Sequence, residues 1–157
     1  MSSQNIARYV PADTGLSFWG PGDRYTFLVT GAQSNGAYFI MEAIVPPGGG
    51  PPPHIHHREQ EAFYVLEGTL DIQIGDKVVQ ASAGDFVHIP IGTVHSFRNS
   101  GDSVARQLVI FSPGGMERFF EETLQVAEDR SAPTPDNIDD VVARYVEAAP
   151  RHGLEFV

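Results

Sequence analysis

The chain contains no cysteine. That excludes disulfides and thiolate metal sites, and leaves nitrogen and oxygen side chains as the only strong metal ligands. Positive charge is the next scarcity: 10 Lys and Arg stand against 20 Asp and Glu, for a formal net charge of −10. Nucleic-acid backbones are neutralised by clustered basic side chains, and the few present here are scattered, so no nucleic-acid partner is expected. Anionic lipid is disfavoured for the same reason. No stretch approaches the ~18 consecutive apolar residues of a membrane span. The segment Met1–Arg8 has no basic region followed by an apolar run, so it does not read as a secretion signal. The expectation is a protein with no membrane partner and a cytoplasmic location.

What is abundant is turn chemistry. Among 157 residues there are 16 glycines and 12 prolines, as many short strands joined by tight turns require. The length suits one domain with its own core. Residues 1–22 read as an irregular N-terminal arm whose Phe18 and Trp19 pack against the body. From residue 23 to 112 the chain reads as successive strands: Tyr25–Thr30, Tyr38–Val45, Ala62–Glu67, Thr69–Ile74, Val78–Ala81, Phe86–Ile89, Val94–Arg98 and Arg106–Phe111. These runs are rich in β-branched and aromatic residues, and Leu70, Ile72 and Ile74 alternate with Asp71 and Gln73. Gly75-Asp76 predicts a two-residue hairpin turn. Eight short strands at even spacing point to an antiparallel sandwich or jelly-roll barrel.

Residues 113–157 change period and form a C-terminal helical segment expected to pack on the same domain. Met116, Phe119, Phe120, Leu124 and Ala127 recur at helical spacing. Asp136 or Asn137 is placed to cap a second helix running to about Ala148, with Tyr145 on its apolar side and Pro150 ending it. Leu154–Val157 reads as a short last strand.

The chemistry sits at Pro51-Pro52-Pro53-His54-Ile55-His56. In a strand, residues i and i+2 share a face about 6.5–7 Å apart, so His54 and His56 aim at one cavity, and the prolines stiffen the approach. Glu59, Gln60 and Glu61 follow. Gln60 lacks charge, Glu61 opens the strand carrying Phe63 and Val65, and Glu59 reads as a solvated turn residue. With His95, the set His54, His56, Glu61 and His95 forms a ligand group for one divalent transition metal: iron, nickel, manganese, cobalt, copper or zinc. Burying four such groups without a cation would cost several kcal/mol. Of the remaining histidines, His88 reads as a hydrogen-bonded core residue, His57 as exposed or as a support to the ligands, and His152 as exposed.

These residues resemble the cupin superfamily. Gly48, His54, His56, Glu61 and Gly68 match its first motif without a gap, and Gly84, Pro90, Gly92, His95 and Asn99 match its second. The resemblance implies a mainly β fold, a cupin double-stranded β-helix (jelly-roll) barrel with C-terminal helices packed outside, and a homodimer. It places His54, His56, Glu61 and His95 as metal ligands inside the barrel, with Gly92 permitting the turn before His95. The stretch Pro51–Gly68 and the segment Pro113–Glu122 are further similar to bacterial single-domain quercetin 2,3-dioxygenases. That likeness implies O2-dependent cleavage of a flavonol or related enolisable aromatic substrate, with Glu61 as the proton acceptor. Phe39, Met41, Phe63 and Phe97 are the expected walls of the substrate pocket. The rival expectations are a non-catalytic metal-containing binder of small molecules, and a cupin isomerase or diketone-type dioxygenase. Arg98 and Arg106 are the candidates for holding an acidic ligand.

Overall fold

The structure, a computed structural model, describes residues 6–157. Two antiparallel sheets share one core. Numbered in chain order, the larger sheet runs β11 (Gln125–Val126), β1 (Ser17–Trp19), β2 (Arg24–Val29), β3 (Phe39–Val45), β10 (Ala105–Ser112), β5 (Gln60–Glu67) and β8 (Phe86–Ile89). The smaller runs β12 (Leu154–Phe156), β4 (His54–His56), β9 (His95–Arg98), β6 (Thr69–Ile74) and β7 (Lys77–Ser82). The fold is mainly β with helices in the C-terminal segment, the architecture that the cupin resemblance implied.

Strand periodicity decides what enters the core. Phe39, Met41, Ala43 and Val45 of β3 face Ala105, Gln107, Val109 and Phe111 of β10 on the inner surface, and all eight are buried. Leu70 and Ile72 of β6 are likewise buried. The β6–β7 register pairs Ile74 with Lys77, which makes Gly75-Asp76 the two-residue turn that the sequence predicts. Ahead of the histidines, the loop Pro46–Gly50 is laced to the far end of β9. Gly48 N–H donates to the Asn99 carbonyl (2.8 Å), and Asn99 N–H to that of Gly49 (3.1 Å). The Asn99 side chain adds bonds to the Val45 (2.8 Å) and Ser103 (2.7 Å) carbonyls. Gly50 is obligatory here, because a Cβ would stand 2.0 Å from the Phe97 carbonyl oxygen and φ is +132°.

Three sequence expectations need correction. The arm is not irregular throughout: Ser17–Trp19 forms β1, hydrogen-bonded between β2 and β11. Phe18 is buried 4.9 Å from the Phe27 ring, and Trp19 is half-buried. The first helix, α1 (Glu117–Thr123), is shorter than its apolar pattern suggested, and Gln125–Val126 leaves it to join the larger sheet. The second helix, α2 (Ile138–Ala148), starts at Asn137 without a side-chain cap, and Pro150 continues it as a 3-10 turn, Ala149–His152. Pro is tolerated there because it stands in the first turn, where its missing N–H has no helical partner. No helix among the described residues is long and apolar enough to cross a membrane.

Within the C-terminal segment, α1 and α2 pack outside the sheets, while β11 and β12 extend one sheet each. Phe120 of α1 packs on Tyr25 (ring centroids 5.2 Å) and Phe111 (6.3 Å), and Tyr145 of α2 packs on Phe119 (4.8 Å). β12 then pairs with β4, setting Leu154 opposite His56 and Phe156 opposite His54.

Candidate metal centre

β4 presents its two histidines to the interior and leaves Ile55 half-buried. β9, paired to it at His54–His95, brings the third imidazole, and β5 brings Glu61 from the opposite sheet. One ligand atom from each of the four residues lies within 4.8 Å of the others, and all four side chains are buried. The sequence reading of which residues converge is what the structure shows.

Each imidazole is held by its outer nitrogen. Nδ1 of His54 faces the Pro52 carbonyl (2.9 Å), Nδ1 of His95 the Thr93 carbonyl (2.9 Å), and Nδ1 of His56 the carboxylate Oε1 of Glu59 (3.0 Å). Carbonyl and carboxylate oxygens only accept, so in a neutral ring the proton resides on Nδ1 and the Nε2 lone pair is left for the interior. Glu61 Oε2 then stands 2.6 Å from His95 Nε2 and 3.0 Å from His56 Nε2. The His56 contact is misaligned for hydrogen bonding, and this buried nitrogen has no hydrogen-bond partner. Lone pairs facing one another at such distances require positive charge between them, either protons or a shared cation. Three imidazoles and one carboxylate are a donor set suited to several divalent first-row metals, so the residues fit the ion that their sequence pattern implied.

The titration behaviour follows from the same crowding. Burial, reinforced by the other two histidines, lowers His54 to about 3. Burial would also depress His56, but Glu61 and Glu59 outweigh it and raise that residue to about 9. Burial opposes ionisation of Glu61, yet His56 and His95 prevail and hold it well below the usual carboxylate range.

Glu59 is the residue that sequence reasoning misplaced. It is 5% exposed rather than solvated, and it fixes the ring of His56. The available signal was parity, since Glu59, Glu61, Phe63 and Val65 are all buried. His88 is corrected in the other direction. It lies exposed on β8, while its neighbour Ile89 takes the inward position. His152 is half-buried against Phe119 and pairs with Glu122, not free on the surface. His57 is exposed and pairs with Glu155 at 2.9 Å.

Beside the cluster lies a cavity of about 30 Å³, walled by His54, His56 and Glu61 at its polar end. That is room for about one or two waters. Met41 and Phe97 line it as expected from the sequence. Phe39 and Phe63 do not. Phe39 is stacked on Phe111 at 5.6 Å and Phe63 stands edge-on to Phe97 at 5.7 Å, both in the core. The walls the sequence reading missed include Tyr25, Phe111, Phe119, Phe120, Tyr145 and Phe156. Four of these six belong to the C-terminal segment, whose contact with the site is long-range. No Lys or Arg lines the cavity. Arg98 is exposed, and Arg106 is committed to Glu42 (2.9 Å) and Glu67 (3.4 Å).

The sequence profile of the family described as Cupin domain matches residues 41–111, which contain all four converging side chains. This is a cupin-domain protein. The cupin chain is 34% identical over 112 residues to quercetin 2,3-dioxygenase from Bacillus subtilis. That match covers 64% of this chain and 32% of the relative, so the chain spans about a third of that protein's length. In three dimensions the cupin resembles KdgF from a Halomonas species, with a TM-score of 0.64 at 17% identity, covering 73% of this chain and 99% of that one. It also resembles an RmlC-like cupin from Shewanella frigidimarina, with a TM-score of 0.60 at 18% identity, covering 71% and 96%. At these identities the two structures speak to the fold alone.

Proposed function

We propose that this cupin is a metal-dependent dioxygenase of the quercetinase type, using O2 to cleave a flavonol or a related enolisable aromatic compound. The observation that carries the reading is the convergence of His54, His56, Glu61 and His95 beside a cavity whose remaining walls are mostly aromatic. The similarity to a quercetin 2,3-dioxygenase over 64% of the chain supports it.

A divalent transition metal, when bound, supplies Lewis acidity and an open coordination position. The remaining roles belong to the chain. The Nδ1 partners of the three imidazoles hold the rings so that their Nε2 atoms point inward. Glu61 is ionised at every ordinary pH, the state in which it can take a proton from an enolic hydroxyl at Oε2. Its low proton affinity makes that transfer uphill, so the transfer demands close positioning of the hydroxyl. Phe97, Phe111, Phe120 and Phe156 offer flat apolar faces to a ring and exclude bulk water.

The small volume of the cavity favours a second reading. About 30 Å³ does not hold a flavonol, so a ring-sized substrate requires the walls to move apart. A cupin that binds a smaller molecule at the same centre needs no such movement. Anaerobic metal reconstitution followed by O2 uptake with quercetin separates the two. Stoichiometric O2 consumption with loss of the flavonol supports the oxygenase, and a metal-replete protein that consumes none overturns it.

A further inference from the structure

The cavity has a second polar group that the metal chemistry does not use. Asp23, Tyr25 and Tyr145 are all buried, at 0%, 1% and 2% exposure. They come from three places: the turn before β2, β2 itself and the middle of α2. Tyr25 and Tyr145 line the cavity, and Asp23 sits beside the Tyr25 hydroxyl. Phe156 links the two polar groups, with its ring 5.5 Å from His54 and 6.0 Å from Tyr145.

The carboxyl is built into its position. Gly20 N–H donates to the Asp23 carbonyl at 2.8 Å, closing the turn. A Cβ at residue 20 would stand 2.2 Å from Asp23 Oδ1 and 2.7 Å from the Tyr25 ring. Gly50 N–H ties the same turn to the loop leading to β4 through the Pro21 carbonyl at 3.1 Å. Yet both Asp23 carboxyl oxygens and the Tyr145 hydroxyl lack a hydrogen-bond partner, although the Tyr25 hydroxyl is near both. Buried polar groups are nearly always satisfied; the unpartnered Tyr145 hydroxyl belongs to a cavity wall, with the Asp23 carboxyl beside its neighbour Tyr25, and this end of the cavity is a place for a ligand's polar atom. Burial pushes the Asp23 carboxyl well above its ordinary range, with the Tyr25 hydroxyl and its own backbone N–H offsetting part of this. A protonated Asp23 and two phenols can each donate and accept, and no Lys or Arg lines the cavity to receive an anion at this end.

We propose that Tyr25 and Tyr145, with Asp23 backing the Tyr25 hydroxyl, form a hydroxyl-recognition subsite, which takes a neutral phenolic or alcoholic oxygen of a ring-shaped ligand held between the aromatic walls. It rests on the cavity being the ligand site, as in the function proposed above, and adds the ligand class: a neutral hydroxylated aromatic, with carboxylates and phosphates rejected at this end.

The test uses the full chain, metal-loaded, with phenol and benzene as probes, and the variants Tyr145→Phe and Asp23→Asn. Tyr145→Phe keeps the ring and removes a hydroxyl that has no partner in the fold. Its melting temperature without ligand and its metal content should match the parent. Its affinity for phenol should fall about tenfold, the loss of one hydrogen bond, while benzene binding is unchanged. Equal phenol affinity in parent and Tyr145→Phe overturns the subsite. So does a Tyr145→Phe melting temperature several degrees lower, since the hydroxyl would then be a structural partner. Asp23→Asn, which keeps a donor and an acceptor, should retain phenol binding, and its failure to do so while folded and metal-replete contradicts a neutral Asp23. Quercetin is assayed separately with O2: if it is inert while the phenol results hold, the flavonol reading falls and the subsite stands.

Discussion

At the residue scale the decisive feature is that every inward imidazole has an acceptor on its far nitrogen. For His54 and His95 that acceptor is a main-chain carbonyl two residues back, so no side-chain substitution can remove it. For His56 it is Glu59, which makes Glu59 the adjustable support of the site. Glu59→Gln should weaken metal binding about 10–100-fold by competitive titration, with the stoichiometry at saturation preserved. His95→Ala, by contrast, should drop the metal content of the purified protein well below one per chain by elemental analysis, and His88→Ala should leave it unchanged. The four converging residues were legible because His54 and His56 differ by one strand period and Glu61 and His95 stand at motif spacing. Glu59 was missed because a charged residue next to a turn is usually solvated. Its parity with Glu61 already pointed inward.

At the scale of elements, β4 is short and depends on its neighbours. It meets β9 only at His54–His95, whereas β12 pairs along its whole length. Leu154 is 5% exposed in that ladder. Leu154→Ala should cost about 2–4 kcal/mol in urea unfolding and should also weaken metal binding, because it loosens the strand that carries two of the four ligand candidates. A second prediction concerns the turn before β2. Burial raises the Asp23 carboxyl above its ordinary 3.8, so the folded state holds a proton that the unfolded chain releases. Stability from this group is full below about that ordinary value and declines as pH rises towards the folded-state pKa. Asp23→Asn should therefore show a flatter dependence of melting temperature on pH between about 4 and 7 than the parent. The strands of the barrel were legible through alternation and turn residues. The pairing of β12 with β4 was not, because local periodicity carries no information about a partner almost a hundred residues away.

At the scale of the whole molecule, the barrel supplies the ligands and the C-terminal segment supplies the closure. Five of the residues walling the cavity, Phe119, Phe120, Tyr145, Leu154 and Phe156, come from α1, α2 and β12, and α2 is held to the rest largely by Tyr145, Ala148 and Val141. A few buried contacts on an outer helix imply a lower opening free energy than that of the central strands. Hydrogen exchange should show the α2 amides exchanging well before those of β3, β5 and β10. Saturation with a ring-sized ligand should change protection in α1 and α2 more than in the barrel. Uniform exchange across the chain would mean that the segment does not open separately. The sequence announced two helices after the barrel but not their position over the site, since their apolar faces look the same whether they cover a sheet or a cavity.

The ladder between β12 and β4 also has a bearing on how the protein is made. On the ribosome His54, His56, Glu61 and His95 are all synthesised before Leu154–Phe156 exists to flank the strand that bears the first two. A nascent chain therefore carries all four side chains while the strand bearing two of them still has one bare edge. That edge of the strand is covered only once β12 has been synthesised and has paired with β4.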